Sequence, residues 1–513
     1  MDLFSKLTPQ DAVLVVGAGI MGIGVAQTAA QAGHAVFLFD MRPSAAQEAH
    51  TRLAETLEAL VVKGKLTAAV AQETLARIRP VAALEQATSA RLAVEAIVER
   101  LEAKQDLFQQ LESMLPNDAI LATNTSSISV TAIGKGMKHP ERLVGMHFFN
   151  PVPVMRLVEV VTGLQTSPAV AEGIFELSQA WGKVPVFAKN TPGFIVNRIA
   201  RPFYAETLAL LQERASSPEI LDACLRSASF RMGPCELMDL IGHDTNFSVT
   251  QSVYEANFFD KRFTPSLIQR ELVDGGLLGR KSGRGFYVYP KEARPSEALS
   301  FEPVQRPSQV SVHGSNQLAD MLHRSATTAL AAFGIEPLRS TSEDWTGIQV
   351  DDARLFLTDG RPAYEIASVT GSPDVAVFDR PLPGNSSPEV ATLAFALNGE
   401  ARQTWQSQAP AWLKALGFEP VQIADTPGLV VARTIAMLVN EAADAVQQGV
   451  CTPEGADTAM RLGVNYPGGP FEWLNNWSAQ GVARVLDALD AVYRGERYRV
   501  SPWLRRAAAR ELV

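Results

Sequence analysis

Four polar side chains in the N-terminal portion of this 513-residue sequence stand where chemistry could be done. They are Ser126 in Asn124-Thr-Ser-Ser, His147 in His147-Phe-Phe-Asn-Pro, Glu159 in Leu157-Val-Glu-Val-Val and Asn197 in Thr191-Pro-Gly-Phe-Ile-Val-Asn-Arg. Glu159 lies within an apolar run, so its neighbours are expected to be buried, and a buried carboxylate is costly without a partner. A histidine is the obvious one. Imidazole, with a reference pKa of about 6.5, suits removal of a hydroxyl proton near neutral pH. A carboxylate on its far nitrogen would fix the tautomer and stabilise the imidazolium, as in the serine-protease triad. The matching chemistry is oxidation of a secondary alcohol: the base takes the proton while hydride leaves for an acceptor. The Ser126 hydroxyl and Asn197 amide could hold the substrate oxygen. Taken singly, each residue also reads as structure: a histidine after a strand, a serine N-cap, a Glu159–Arg156 ion pair, a polar helix position.

A hydride acceptor has its own signature earlier in the chain. Val13-Leu-Val-Val is a short β-branched run that enters Gly17-Ala-Gly-Ile20-Met21-Gly22-Ile-Gly, and Val25 to Ala32 then reads as a helix. This is the G-x-G-x-x-G fingerprint in a strand-turn-helix context. Gly17 permits the tight turn, Gly19 lets backbone approach a pyrophosphate, and Gly22 lets helix and strand pack closely. The helix N-terminus then faces the diphosphate charge. A second strand-like run, Ala35-Val-Phe-Leu-Phe, ends in Asp40, which suits a hydrogen bond to ribose hydroxyls and would repel a 2′-phosphate. NAD is the expected cofactor, with Arg42 nearby the one feature that would suit NADP.

The elements that must position these groups follow from pattern. Strand-like and helical stretches alternate over residues 1–188, a doubly wound α/β (Rossmann) domain. Residues 189–290 are largely helical, with Thr191-Pro-Gly expected to start a helix through a threonine N-cap. Residues 291–309 read as a linker. Beyond it the chain repeats itself. Gly182-Lys-Val-Pro-Val through Asn197-Arg recurs, 235 residues later, as Gly417-Phe-Glu-Pro-Val through Ala432-Arg, and Glu206 maps to Glu441 at the same offset. Gly233-Pro-Cys-Glu returns as Gly469-Pro-Phe-Glu, one insertion later. The second half is therefore expected to be a degenerate repeat: a reduced Rossmann-like domain over 310–424, without the glycine fingerprint, then a second all-α domain over 425–513. An ungapped count turns His147 into Leu382, Glu159 into Ala394 and Asn197 into Ala432, so the second copy is expected to be catalytically dead.

Composition excludes other classes. A net charge of −9 argues against nucleic acid as a partner. Three scattered cysteines suit neither a disulfide framework nor a metal site. No run approaches the ~20 apolar residues of a membrane span. The first apolar run breaks into glycines rather than continuing as a signal peptide. A cytoplasmic setting is expected.

These motifs together resemble the L-3-hydroxyacyl-CoA dehydrogenases, in particular the long bacterial members of the 3-hydroxybutyryl-CoA and phenylacetate-pathway 3-hydroxyadipyl-CoA type. The resemblance rests on Gly17-Ala-Gly-Ile-Met-Gly, Glu95-Ala-Ile-Val-Glu99, Asn124-Thr-Ser-Ser, His147-Phe-Phe-Asn-Pro-Val-Pro-Val-Met, Leu157-Val-Glu-Val and Thr191-Pro-Gly-Phe-Ile-Val-Asn-Arg, and is dense over residues 12–290. It implies NAD-dependent oxidation of a (3S)-hydroxyacyl-CoA to the 3-oxoacyl-CoA. His147 would be the base and Glu159 its partner, with Ser126 and Asn197 at the substrate oxygen. NAD would be held by Gly17, Gly19, Ile20, Met21, Gly22, Asp40, Glu99, Lys104, Asn124, Ser126 and Asn150. Without the resemblance, Glu99 and Lys104 would read as a solvated charge pair at a helix start. Arg52, Lys63 and Lys65 are candidates for a basic patch against the polyanionic coenzyme A, or simply a solvated helical face. Shorter members dimerise through the helical domain, so the second helical domain is expected to replace that partner within the chain. The alternatives are a related NAD-dependent dehydrogenase of a free hydroxy acid, of the gulonate type, and a non-catalytic NAD-binding protein.

Overall fold

The computed structural model describes residues 6–290, 301–341, 345–382 and 391–511. Short β-branched runs form two sheets. The first has eight strands: β1 (Val13–Val16), β2 (Val36–Phe39), β3 (Ile78–Val81), β4 (Leu92–Glu95), β5 (Ile120–Thr123), β6 (Leu143–Phe148), β7 (Leu157–Thr162) and β8 (Val184–Lys189). Their order is β3-β2-β1-β4-β5-β6-β7-β8, parallel except for the antiparallel β6–β7 pair. β1, β4 and β5 are buried along their whole length, as parallel strands covered on both faces must be. Order reverses at β1, so the glycine turn after β1 opens at the switch point of the sheet, where such folds bind ligands.

The second sheet contains β9 (Val310–His313), β10 (Leu338–Ser340), β11 (Gly347–Val350), β12 (Ala353–Leu357), β13 (Val375–Phe378), β14 (Thr392–Leu397) and β15 (Glu419–Gln422), in the order β10-β9-β11-β12-β13-β14-β15. It is the reduced Rossmann-like sheet expected from the repeat. β7 and β14 lie 235 residues apart at both ends, and β14 pairs antiparallel to β13 and parallel to β15, as β7 does to β6 and β8. After β9 the chain enters a helix at Gln317, and the Asn316 side chain accepts from the Ala319 N–H. A side-chain cap thus occupies the helix N-terminus that would have to face a phosphate.

By contacts the chain divides into two compact units. One holds residues 1–198 and 448–465 and contains the first sheet. The other holds 199–447 and 466–513 and contains the second sheet with most of the helices. In the second unit the helix Val431–Gln447 is buried from Val431 to Ala445. A helix covered all round is a core helix, so its charged residues need partners. They have them: Arg433 pairs with Glu206 at 2.8 Å and Glu213 at 3.0 Å, and Glu441 and Asp444 pair with Arg262.

One local expectation is corrected. Thr191 does not cap a helix. Gly193 and Phe194 have φ of +77° and +46°, which keeps the chain out of helix until Val196. The cap comes from a neighbouring strand instead, as described below. Of the linker, residues 291–300 lie outside the described residues, while Gln305, Ser308 and Gln309 donate backbone hydrogen bonds to Gln408 and Asp351 of the second unit.

Candidate active site

The antiparallel register of β6 and β7 sets His147 directly opposite Glu159. Their side chains meet on one face of the sheet, with His147 Nδ1 2.6 Å from Glu159 Oε2. Both are buried, Glu159 completely. The second carboxylate oxygen, Oε1, accepts from the backbone N–H groups of Ile195 and Val196, each at 3.0 Å. Glu159 therefore caps the helix Val196–Ile199, on which Asn197 is the second residue. One side chain ties together the imidazole and the turn that carries the amide. Phe149 and Phe194 flank the imidazole, at ring-centroid separations of 4.6 and 5.7 Å.

Asn124 and Ser126 lie on the loop after β5. Asn124 Oδ1 accepts from the Phe148 N–H at 2.8 Å, which joins this loop to the end of the histidine strand. Glu99 Oε1 accepts from the Ser126 N–H at 3.0 Å, from the Thr125 hydroxyl at 2.5 Å and from the Ser127 N–H at 3.2 Å. Lys104 Nζ stands 3.1 Å from Glu99 and 2.6 Å from Glu95. Lys104 and Glu95 are 1% and 0% exposed, so this is no solvated charge pair. Burial alone would raise the Glu99 carboxyl, but the Lys104 ammonium and the Thr125 hydroxyl outweigh it and hold it below the usual range. Glu95 belongs to this buried group, and the sequence motif that contains it does not mark its part. Its signal was a carboxylate closing an otherwise apolar strand, nine residues before a lysine. Asn150 is exposed at the start of the β6–β7 connection and precedes a cis peptide bond to Pro151.

The glycine turn is built as its spacing requires. Gly17 has φ of +103°, and a Cβ on Gly22 would lie 1.8 Å from the Gly17 carbonyl oxygen. A Cβ on Gly19 would meet nothing within 4 Å, so this side of the turn is open. Gly19 also begins the helix Ile20–Gln31 with no side-chain cap and no acidic residue in the first turn. Asp40 Oδ2 accepts from the Ala18 N–H at 2.8 Å, at the same end of the sheet. Arg42 turns to Glu48 at 2.8 Å.

In the second copy the corresponding register gives a different result from the ungapped count. Phe378 pairs with Phe395, and the Asp379 N–H donates to the Ala394 carbonyl at 2.9 Å. Asp379, not Leu382, therefore occupies the position of His147, while Ala394 occupies that of Glu159. The count slips because the connections between the paired strands differ in length. Asp379 accepts from the N–H groups of Val430, Val431 and Ala432, at 3.0, 2.7 and 3.0 Å. Burial pushes its carboxyl up to about 6 against those three donors. The helix-capping carboxylate survives but has changed strands, and no imidazole stands beside it.

Comparison with known proteins decides the family. A family model described as the 3-hydroxyacyl-CoA dehydrogenase NAD-binding domain matches residues 12–191. The C-terminal domain of that family matches twice, over 193–289 and 428–512, and the reduced Rossmann-fold domain of 3-hydroxybutyryl-CoA dehydrogenase matches 355–427. The chain is 42% identical, over 97% of its length and 98% of the relative's, to the 3-hydroxyadipyl-CoA dehydrogenase of Escherichia coli K12. The chain belongs to the 3-hydroxyacyl-CoA dehydrogenase family. A solved 3-hydroxybutyryl-CoA dehydrogenase of Escherichia coli K12 superposes with a TM-score of 0.88, at 41% identity and 99% coverage of both chains. The (S)-3-hydroxybutyryl-CoA dehydrogenase of Ralstonia eutropha, 40% identical with a TM-score of 0.53, covers 55% of this chain with all of its own.

This dehydrogenase is an NAD-dependent enzyme of acyl-CoA substrates. The glycine turn fits the cofactor: an uncapped helix N-terminus, an open face at Gly19 and a carboxylate at the end of β2 are what a diphosphate and an unphosphorylated ribose need. With Arg42 engaged by Glu48, the feature that suited NADP is accounted for. Among the described residues no helix is long and apolar enough to cross a membrane, and no acidic, histidine or cysteine cluster could hold a metal ion. Arg52, Lys63 and Lys65 are exposed on and after the helix Ala45–Val62.

Proposed function

We propose that this dehydrogenase oxidises a (3S)-hydroxyacyl-CoA to the 3-oxoacyl-CoA with His147 as general base. The observation that carries the reading is the 2.6 Å contact between His147 Nδ1 and buried Glu159. A carboxylate on Nδ1 keeps the proton there and leaves Nε2 as the acceptor for the substrate hydroxyl proton. Bound NAD supplies the hydride acceptor for the hydrogen on the carbinol carbon. Glu159 stabilises the imidazolium that results, and its other oxygen holds the turn that presents Asn197. The Ser126 hydroxyl and the Asn197 amide hold the reacting oxygen. Asp40, the glycine turn with Ile20 and Met21, Glu99 with Lys104, Asn124 and Asn150 form the cofactor side of the site. The setting is the cytoplasm.

The test is NADH consumption with acetoacetyl-CoA, followed by the reverse reaction with the separate 3-hydroxybutyryl-CoA enantiomers. Turnover of the (3S) ester, with the (3R) ester at least about a hundredfold slower, is the expected result. Free L-gulonate is expected to be inert. Turnover of gulonate but of neither thioester would transfer the reading to the free-acid dehydrogenases. An acyl chain ending in a second carboxylate is favoured by the full-length similarity to a 3-hydroxyadipyl-CoA dehydrogenase. It predicts a higher kcat/KM for 3-hydroxyadipyl-CoA than for 3-hydroxybutyryl-CoA.

We infer in addition that the second helical domain replaces a partner subunit. Glu206 pairs with Arg497 at 2.8 Å, and its repeat counterpart Glu441 pairs with Arg262 at 3.4 Å. Arg262 and Arg497 are themselves 235 residues apart, each the second residue of a short 3-10 turn. Such reciprocal pairing, i with j and j with i, is the signature of an isologous dimer interface. Residues 1–290 alone would leave Glu206 without Arg433 or Arg497, so light scattering of this fragment is expected to show self-association. A well-behaved monomer would count against the inference.

A further inference from the structure

The catalytic helix Val196–Ile199 is braced by residues from the second half of the chain. Arg198, next to Asn197 and 2% exposed, donates through Nη1 to Gln448 Oε1 at 2.8 Å. The Lys189 N–H, at the end of β8, donates to the Val450 carbonyl at 2.8 Å. The helix Pro453–Gly463 packs on β7 and β8. It ends at Gly463, where a Cβ would lie 2.7 Å from Leu157 Cδ2 and 2.9 Å from Val196 Cγ2. Leu157 begins the strand that carries Glu159, and Val196 supplies one of the two N–H groups that Glu159 accepts.

Several of these contacts have counterparts in the other unit, with the roles of the two copies exchanged. Arg433 pairs with Glu213, the residues that correspond to Arg198 and Gln448 at the 235-residue offset. The Ala424 N–H donates to the Ala215 carbonyl at 3.0 Å, matching Lys189 and Val450. The helix Pro218–Ser227 packs on β14, and its terminal Ser227 hydroxyl accepts from the Thr392 N–H at 2.9 Å. In the degenerate copy the braced helix carries Ala432 and no chemistry. In the first copy the same bracing bears on Asn197 and on the Glu159 cap.

We propose that segment 448–465 of the second half is a positioning element of the first-half active site, acting through Gln448 on Arg198 and through Gly463 on Val196. The proposal rests on the assignment of Glu159 and Asn197 given above. It gives the catalytically silent half a part in turnover. A misplacement of the order of 1 Å at a reacting group can cost about a hundredfold in rate, so small shifts of this helix should be visible.

The experiment uses the full chain with acetoacetyl-CoA and NADH. It compares Gln448→Ala, Gln448→Glu, Gly463→Ala and His147→Ala by kcat, KM, NADH dissociation constant and melting temperature. Gln448→Ala is expected to lower kcat about fivefold and Gly463→Ala roughly tenfold, with KM for NADH and the NADH dissociation constant unchanged. Gln448→Glu, which writes the Glu213–Arg433 pairing into the first half, is expected to keep kcat within about twofold of wild type. Gln448 is exposed, so its variants keep the test open should Gly463→Ala not fold. Wild-type kcat in Gln448→Ala overturns the proposal, whether or not the melting temperature falls. Equal losses in Gln448→Ala and Gln448→Glu also overturn it, because the glutamate retains the acceptor. If His147→Ala keeps full turnover, the reading of the site falls and the positioning role falls with it. If His147→Ala is inactive while the other variants turn over normally, only the positioning role is lost.

Discussion

Replacing His147 by alanine is expected to lower kcat for reduction of acetoacetyl-CoA by about 10²–10⁴-fold while NADH still binds, because general acid–base catalysis typically contributes that much. Turnover is followed by NADH absorbance and binding by NADH fluorescence. The split between the two follows from the architecture. The cofactor side is built from β1, β2 and the first helix, with its own backbone contacts at Gly17, Gly22 and Asp40. The imidazole stands on β6 and reaches Glu159 on β7. Removing it leaves the glycine turn intact. Retention of kcat within about threefold would assign the proton transfer to another group.

Changing Glu159 to glutamine is the second large effect. The glutamine carbonyl can still accept from the imidazole or from the Ile195 and Val196 N–H groups, but the negative charge is gone and one terminal atom becomes a donor. If the amide nitrogen faces His147, it imposes the opposite tautomer and places the ring proton on Nε2, where the substrate hydroxyl must donate. The corresponding substitution in the serine-protease triad costs about 10⁴-fold. A loss of at least about a hundredfold in kcat is expected here. Glu159→Ala should lose as much activity and also stability. It leaves two buried N–H groups without an acceptor, at about 1–3 kcal/mol for each unsatisfied group. Melting temperature separates the two variants. Equal melting temperatures would mean that the helix cap is not carried by Glu159, and wild-type kcat in Glu159→Gln would remove it from the proton-transfer step.

Much of this protein was legible in its sequence because some signals are purely local. A glycine needed for a positive φ or a close backbone approach can be read from its neighbours, so Gly17 and Gly22 disclose the dinucleotide turn before any contact is known. β-branched runs of four to six residues disclose strands, and the constant offset between Gly182 and Gly417 discloses the duplicated architecture. The loss of the glutamate and the asparagine from the second copy was also readable, since Ala394 and Ala432 stand at those positions. Family membership followed from the density of such motifs.

Tertiary structure decided whatever depends on register or on atoms brought from far along the chain. Sequence spacing cannot say that His147 faces Glu159, because a one-residue slip in strand pairing turns every side chain to the other face. The same sensitivity put Asp379, not Leu382, in the histidine position once the connecting loop changed length. Thr191 had the composition of a helix cap, yet the cap is a glutamate from a neighbouring strand, because only the fold brings a distant carboxylate to an open helix end. Glu99 and Lys104 had the composition of a solvated pair. Packing against Glu95 buried the lysine and turned the group into the support of the Ser126 loop. The crossed bracing by Gln448 and Gly463 joins residues at least 250 positions apart and leaves no mark in local pattern. Local propensity writes elements and turns into the chain; the charge partners and the exchange of helices between the two copies exist only after folding.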